Sequence, residues 1–372
     1  MSRGEFLGVV CSIFNEVVAV AGSHGKTTTT AMIAHILIPT RQATLHLGGE
    51  DLTYGNFVYN GKDVFITEAC EYRRNIEHII PDTGIVTNVE LDHTDCFKNL
   101  DDMKRTFTCF ISKAKRNLIL WEDVEIDVNN KQANLVKVGF GAFADIKAFK
   151  IKETKTGYVF HLRNRENYIG RFILNVCGDY NLKNVLCAVA TCLQMGVSYQ
   201  DTYKGLKTFT GVKRRNEFIG SVRNVPIISD YAHHPTQVLS SIKNIKAKYK
   251  KVLCIFQPHT YSRTKGLMKE FSSCFSGVNE LVIFKTYPAR EKKDNLGSEK
   301  ALYKKVRGVK VNHLALSNKI LFEILDSDIE KFKAVLVLGA GDIHEIAKKY
   351  VKQRKSLDES CSTVYNYNAR KN

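Results

Sequence analysis

Residues Val17-Val18-Ala19-Val20-Ala21 form a short apolar run that breaks at Gly22-Ser23-His24-Gly25 and resumes as Lys26-Thr27-Thr28-Thr29-Thr30, followed by Ala31-Met32-Ile33-Ala34-His35-Ile36-Leu37. The first run has the composition of a buried strand and the last that of a helix, with a glycine loop between them. A strand that turns through such a loop into a helix gathers loop amides and the helix N-terminus around one point, which favours an anion. Lys26 adds a charge for outer phosphates, and a hydroxyl of Thr27 or Thr28 is placed to serve as a Mg²⁺ ligand. The stretch therefore predicts an α/β fold that takes ATP with Mg²⁺. It has the short form G-x-x-G-K-T, because Val20 stands where the longer P-loop has its first glycine. A plain glycine turn between strand and helix would read the same in isolation, so the rest of the chain has to decide.

A chain of 372 residues with 44% apolar content has room for two domains with proper cores. No stretch is long and apolar enough to span a bilayer, and Met1-Ser2-Arg3-Gly4-Glu5 carries no signal-peptide core, so a cytoplasmic location and no membrane partner are expected. The ten cysteines include no C-x-x-C pair, which speaks for reduced, mostly buried thiols rather than a zinc site. The net charge of +17 is spread along the chain without a nucleic-acid-binding motif. No nucleic-acid partner is expected; a basic field of this kind draws in anionic nucleotides instead.

Two further apolar runs end in chemistry-bearing residues. Asp63-Val64-Phe65-Ile66-Thr67 leads into Glu68-Ala69-Cys70-Glu71, and Gly84-Ile85-Val86-Thr87-Asn88-Val89 into Glu90-Leu91-Asp92-His93. In parallel α/β sheets that edge is the ligand edge. Asp101 to Lys115 reads as a helix and Arg116 to Trp121 as another strand, while β-rich alternation from about Leu135 to Val176 predicts a small antiparallel sheet. A helix then covers Asn181 to Met195 and holds Asn181 and Asn184 on one face. Beyond Thr210-Gly211-Val212-Lys213-Arg214-Arg215 the strand and helix rhythm returns at Val225–Ser229, Val252–Phe256, Leu281–Phe284 and Ala334–Leu338, a second doubly wound domain. The expected division is a lead-in over 1–15, an ATP-binding domain over 16–211, a Rossmann-like domain over 212–351 and a polar tail over 352–372.

The later strands end in Asp230-Tyr231-Ala232-His233-His234-Pro235-Thr236, Gln257-Pro258-His259-Thr260-Tyr261-Ser262-Arg263-Thr264, Tyr287-Pro288-Ala289-Arg290-Glu291 and Gly339-Ala340-Gly341-Asp342. Together with A-G-S-H-G-K-T-T-T-T, T-N-V-E-L-D-H and G-V-K-R-R, in this order, the chain resembles the Mur ligases from about Arg3 to about Lys348. Within the family the likeness is to the enzymes that add L-alanine to UDP-N-acetylmuramate in peptidoglycan synthesis.

The resemblance implies ATP-dependent amide-bond formation: a substrate carboxylate is phosphorylated, an amino-acid amine attacks the acyl phosphate, and phosphate leaves. It assigns Gly22, Ser23, His24, Gly25, Lys26, Thr27 and Thr28 to the ATP phosphates, and Thr27 (or Thr28), Glu71 and His93 to Mg²⁺. Asn181 and Asn184 fall at the nucleotide, although Tyr180 replaces the family's histidine before them. Arg215, or its neighbour Arg214, reaches towards ATP from the C-terminal domain, and Asp230 and His234 lie near the phosphates or nucleotide. Lys26, His93, Arg215 and His234 are the implied catalytic residues. His259, Tyr261 and Arg263 fall on the amino-acid and acyl-phosphate side, with Thr260 where arginine is frequent, and Arg290 is a further basic candidate. Family members begin with a UDP-binding domain that has no counterpart before Arg3-Gly4-Glu5-Phe6-Leu7-Gly8, so such a domain is expected to be absent or encoded separately, with weaker ligation as the consequence. A related muramyl-peptide ligase and a non-catalytic ATP-binding partner are the alternatives.

Overall fold

A computed structural model describes residues 1–93, 96–154 and 156–354; the greater part of the expected polar tail, from residue 355 onward, lies outside the described residues. The chain divides into two units, Met1–Lys213 and Arg214–Asn372.

The first unit begins with helix α1 (Arg3–Cys11), whose N-terminus is closed by a reciprocal cap between Ser2 and Glu5. Its strands are β1 (Glu16–Ala21), β2 (Ala43–Asp51), β3 (Gly55–Val58), β4 (Val64–Glu68), β5 (Thr83–Val86), β6 (Asn117–Trp121), β7 (Asn134–Gly139), β8 (Ile146–Glu153), β9 (Tyr158–Asn164) and β10 (Asn167–Leu174). The helices between and after them are α2 (Lys26–Leu37), α3 (Leu100–Ile111), α4 (Asp179–Gln194) and α5 (Tyr199–Thr208). All ten strands form one sheet in the order β10-β9-β8-β7-β6-β5-β1-β4-β2-β3. The central strands run parallel, and the antiparallel β8, β9 and β10 extend that sheet through only two residue pairs between β7 and β8, Val138 with Ile146 and Gly139 with Lys147.

Strand β1 is buried along its whole length because helices cover both faces of the sheet. Val18 and Val20 pack with Ile33 of α2 and Val185 of α4, whereas Val17, Ala19 and Ala21 pack with Phe107 and Phe110 of α3 on the other side. Each such fully buried aliphatic side chain contributes about 1.5–3 kcal/mol. Strands β4 and β5 flank β1 in parallel register, so the C-terminal tips of three adjacent strands open at one edge.

The second unit carries β11 (Glu217–Val222), β12 (Val225–Asp230), β13 (Val252–Phe256), β14 (Glu280–Phe284), β15 (Val311–Ala315) and β16 (Ala334–Leu338) in the order β11-β12-β16-β13-β14-β15. Only β11 pairs antiparallel. Alternate residues of β16 face two cores: Val335 and Val337 pack with Tyr350, and Leu336 and Leu338 with Val238 of helix α6 (Pro235–Lys248). Because β16 lies between β12 and β13, the chain reverses its winding there, the position at which such sheets hold ligands. Among the described residues no helix is long and apolar enough to cross a membrane.

Candidate active site

In the first unit the loop after β1 enters α2 through Gly25, which stands at the N-cap with φ 84°. Gly25 offers no side chain to cap the helix, so the first amides of α2 are left for an anion. A Cβ on Gly25 would come within 2.3 Å of Asn184 Oδ1, and one on Gly22, at φ 137°, within 2.1 Å of Thr87 Oγ1. Both positions therefore require glycine.

The loop is held from the tip of β5. The Ser23 amide donates to the Asn88 carbonyl at 3.2 Å, the His24 amide to Asn88 Oδ1 at 2.9 Å, and the Thr87 hydroxyl and the Asn88 amide group donate to the His24 carbonyl at 2.6 and 2.9 Å. Ser23 Oγ donates to the Glu90 carbonyl at 2.8 Å and accepts from the Glu90 amide at 2.9 Å. Ser23 and His24 are thus shaped by the T-N-V-E segment. Thr87 and Asn88 are positioning residues whose place at a strand tip shows in the sequence but whose contacts with the loop do not.

Lys26 turns its ammonium back onto the Gly22 carbonyl and onto both oxygens of Glu71, at 3.1 and 2.9 Å. The Glu71 side chain is 0% exposed, and His93 Nε2 stands 3.5 Å from its Oε1. Burial alone would raise the Glu71 carboxyl, but the Lys26 and His93 side chains hold it below the ordinary value. Burial pulls the Lys26 ammonium down, but the charge and hydrogen bond of Glu71, with Cys70 and Glu68 nearby, together hold it up. The structure thus joins Lys26, Glu71 and His93, from the ends of β1, β4 and β5, in one cluster. Thr27 is half-buried and Thr28 buried on the first turn of α2.

Both asparagines sit in the first turns of α4. Asn184 is buried against Gly25, while the Asn181 side chain donates to the Cys177 carbonyl at 2.7 Å. The Gly48 amide, in the Gly-Gly pair of β2, donates to Glu68 Oε1 at 2.7 Å, a contact at the same edge that an apolar-run reading does not reveal.

In the second unit the candidates surround the reversal point. The Arg214 guanidinium donates to the Gly339 and Gly341 carbonyls, each at 2.9 Å, and lies 4.7 Å over the Tyr231 ring. Arg215 lies 5.1 Å from the same ring. Asp230, at the tip of β12, accepts from the Asn216 and Ala232 amides at 3.0 and 2.8 Å, and burial raises its carboxyl. His234 is the N-cap of α6, with Nδ1 accepting from the Thr236 amide at 3.4 Å.

Beyond β13, Thr260 holds φ 67° and opens the short helix α7 (Tyr261–Gly266). Arg263 is buried and reaches His259 Nδ1 at 3.1 Å and its carbonyl at 3.2 Å, while the His259 ring stacks on Tyr287 at 5.5 Å. Glu291, which in sequence is only the neighbour of Arg290, accepts from the Tyr261 and Ser262 amides at 2.6 and 2.9 Å and pairs with the Ser262 hydroxyl. Tyr261 is buried and Arg290 exposed.

Comparison with known proteins matches residues 20–192 to the family described as Mur ligase middle domain and residues 214–341 to the one described as Mur ligase, glutamate ligase domain. A UDP-N-acetylmuramate–L-alanine ligase of Clostridium acetobutylicum is 35% identical over 366 residues, covering 94% of this chain and 79% of that protein. The crystal structure of the UDP-N-acetylmuramate–alanine ligase of Thermotoga maritima superposes with a TM-score of 0.75 at 23% identity, over 94% of this chain and 78% of that one. A MurF ligase of Thermotoga maritima in complex with ADP gives 0.69 at 17% identity, over 96% and 85%.

Proposed function

The chain belongs to the Mur ligase family, an acid–amino-acid ligase built from the family's middle and C-terminal domains, and from that premise we propose that it adds L-alanine to UDP-N-acetylmuramate at the expense of ATP. The observation that carries the proposal is the buried Glu71 carboxylate between Lys26 and His93, in a chain that matches the clostridial alanine ligase over 94% of its length.

The donor set suits Mg²⁺. Glu71 is a buried carboxylate at the loop mouth, neutralised by the Lys26 cation, and Thr27 or Thr28 adds a hydroxyl oxygen. Glu71, His93 and that threonine are the residues we assign to the metal, which when bound would neutralise charge on the phosphates. The first amides of α2 and the Lys26 ammonium are assigned to the phosphates, with Ser23 and His24 shaping the loop that presents them and Asn181 and Asn184 assigned to the nucleotide. His259, Tyr261 and Arg263 are assigned to the amino acid and the acyl phosphate, with Arg290 as a further basic group.

No protein nucleophile is required. The substrate carboxylate takes the terminal phosphoryl group of ATP and ADP leaves; the neutral alanine amine adds to the acyl phosphate and gives up a proton, and inorganic phosphate departs as the amide forms. The protein's part is to align three substrates and to balance charge as it develops, for which Lys26, Arg215, His93 and His234 are the candidates. The relative extends beyond the match by about a fifth of its length. We propose that a UDP-binding part, in the same polypeptide or separate, strengthens the hold on the sugar nucleotide.

The test is phosphate release with ATP, Mg²⁺ and UDP-N-acetylmuramate across a panel of amino acids and peptides. Release that depends on L-alanine and yields the ligated product supports the proposal. Preference for a peptide, or ATP binding without release, would overturn it.

A further inference from the structure

Immediately after Glu71 the backbone does what few non-glycine residues do: Arg73 and Arg74 both adopt left-handed geometry, at φ 52° and 56°, within the turn Tyr72–His78. His93, across the cluster, has φ 53° as well. Such strain persists only where the surroundings over-determine it, and it gathers at functional sites.

The two arginines differ in how they are held. Arg74 donates to Asp102 Oδ1 at 2.7 Å, to the Thr106 hydroxyl at 2.8 Å and to Glu77 Oε1 at 3.2 Å, and its amide donates to the Glu71 carbonyl at 2.8 Å. It pins the turn to α3. The neighbouring Arg73 is exposed, lies 5.5 Å over the Tyr72 ring, and among the described residues forms no ion pair. Tyr72 in turn packs against His93, ring centroids 5.0 Å apart. A continuous line of contacts therefore leads from Lys26 through Glu71, His93 and Tyr72 to an exposed guanidinium.

We propose that Arg73 is a substrate-binding residue, which takes the carboxylate of the acid substrate beside the phosphate loop and keeps hold of it as the acyl phosphate forms. The inference rests on the ligase reading above and adds a residue to it. Lys26 is committed to Glu71 and to the nucleotide phosphates, so a second anion at this edge needs its own cation. A guanidinium suits the task because its planar fork matches a carboxylate or a phosphoryl group with two parallel hydrogen bonds. The strained turn fixes the backbone from which that fork extends, and the Tyr72 ring lies beneath it.

The experiment measures, by calorimetry on the full chain, the binding of UDP-N-acetylmuramate in the presence of Mg²⁺ and a non-hydrolysable ATP analogue, for wild type, Arg73→Ala and Arg73→Gly. Both variants are expected to bind the muramate about tenfold or more weakly while holding the nucleotide within about twofold. Arg73→Gly relaxes the left-handed residue and is expected to melt no lower than Arg73→Ala. Muramate affinity unchanged in Arg73→Gly would overturn the inference and leave the ligase reading intact. Parallel loss of nucleotide affinity and thermal stability in both variants would show a structural role and overturn it too. A wild-type chain that binds the nucleotide but neither binds nor ligates the muramate would sink the ligase reading first and this inference with it.

Discussion

The Glu71 carboxylate receives the Lys26 ammonium on both oxygens, at 3.1 and 2.9 Å, although the two residues lie 45 positions apart. Two groups that a phosphate site would use separately are thus already joined. Neither is solvated: the Glu71 side chain is 0% and the Lys26 side chain 14% exposed. Full burial beside the Lys26 cation gives the pair a structural part as well, because removing one partner strands the other charge.

Glu71→Gln is therefore expected to lower thermal stability as well as turnover. Lys26→Met should do likewise, and the double variant should be less destabilised than the sum of the two. A coupling energy between about 0.5 and 3 kcal/mol from a double-mutant cycle in urea is the expected result. Additive single effects would show that the pair does not hold the loop mouth together.

A second buried pair ties the far end of α2 to the sheet. His35 Nε2 lies 3.1 Å from Asp51 Oδ1, and that oxygen also accepts from the Thr53 and Tyr54 amides, each at 2.9 Å. Burial raises the Asp51 carboxyl, but the His35 contact and the two amides outweigh it and hold it below its ordinary 3.8. A depressed carboxyl stabilises the fold above the unfolded value and loses that contribution as pH falls through the folded one. Asp51→Asn is thus expected to cost about 1–3 kcal/mol near neutral pH, with the gap to wild type closing below about pH 4. Melting curves between pH 3 and 7 check this; a gap independent of pH would rule the linkage out.

Much of the site was legible because buried parallel strands read as short apolar runs whose polar ends mark the ligand edge. Lys26, Glu71 and His93 were visible in that way, at the ends of β1, β4 and β5. Strands β11 and β15 were not, since both lie at the edge of the second sheet and break their apolar runs with residues such as Ser221 and His313. Nothing in the pair Arg73-Arg74 announces left-handed backbone, which the contacts of Arg74 with α3 impose from a distance. The clamp of Glu291 on the start of α7 likewise depends on partners that only the folded chain brings close, whereas the His234 cap is local and escapes notice because histidine is not among the residues that usually cap a helix.

The His259–Arg263 pair offers a test of the amino-acid side. Arg263 is buried and bonds both Nδ1 and the carbonyl of His259 through one nitrogen. Arg263→Lys keeps the charge and loses the fork. The expected outcome is a KM for L-alanine raised about tenfold, with the ATP KM within about twofold of wild type. Equal increases in both would place Arg263 outside the amino-acid site.

Arg214 and Arg215 are adjacent and equally basic, yet the structure gives them different work. Arg214 donates to the carbonyls of Gly339 and Gly341, which closes the loop after β16 against the start of the second unit. Burial lowers its guanidinium, the mark of a charge spent on packing rather than offered to solvent. Arg215 lies over Tyr231 without those carbonyl bonds, so its charge is available to a phosphate. Arg214→Ala is expected to destabilise the chain by about 2 kcal/mol, because two carbonyls lose a charged donor. Arg215→Ala should leave stability within about 0.5 kcal/mol of wild type and reduce turnover about a hundredfold, the scale for one lost electrostatic contact to a developing charge. Thermal melts and phosphate-release rates on the two variants separate these roles. If Arg214→Ala were the stable, inactive variant and Arg215→Ala the unstable one, the assignment of Arg215 to ATP would have to pass to its neighbour.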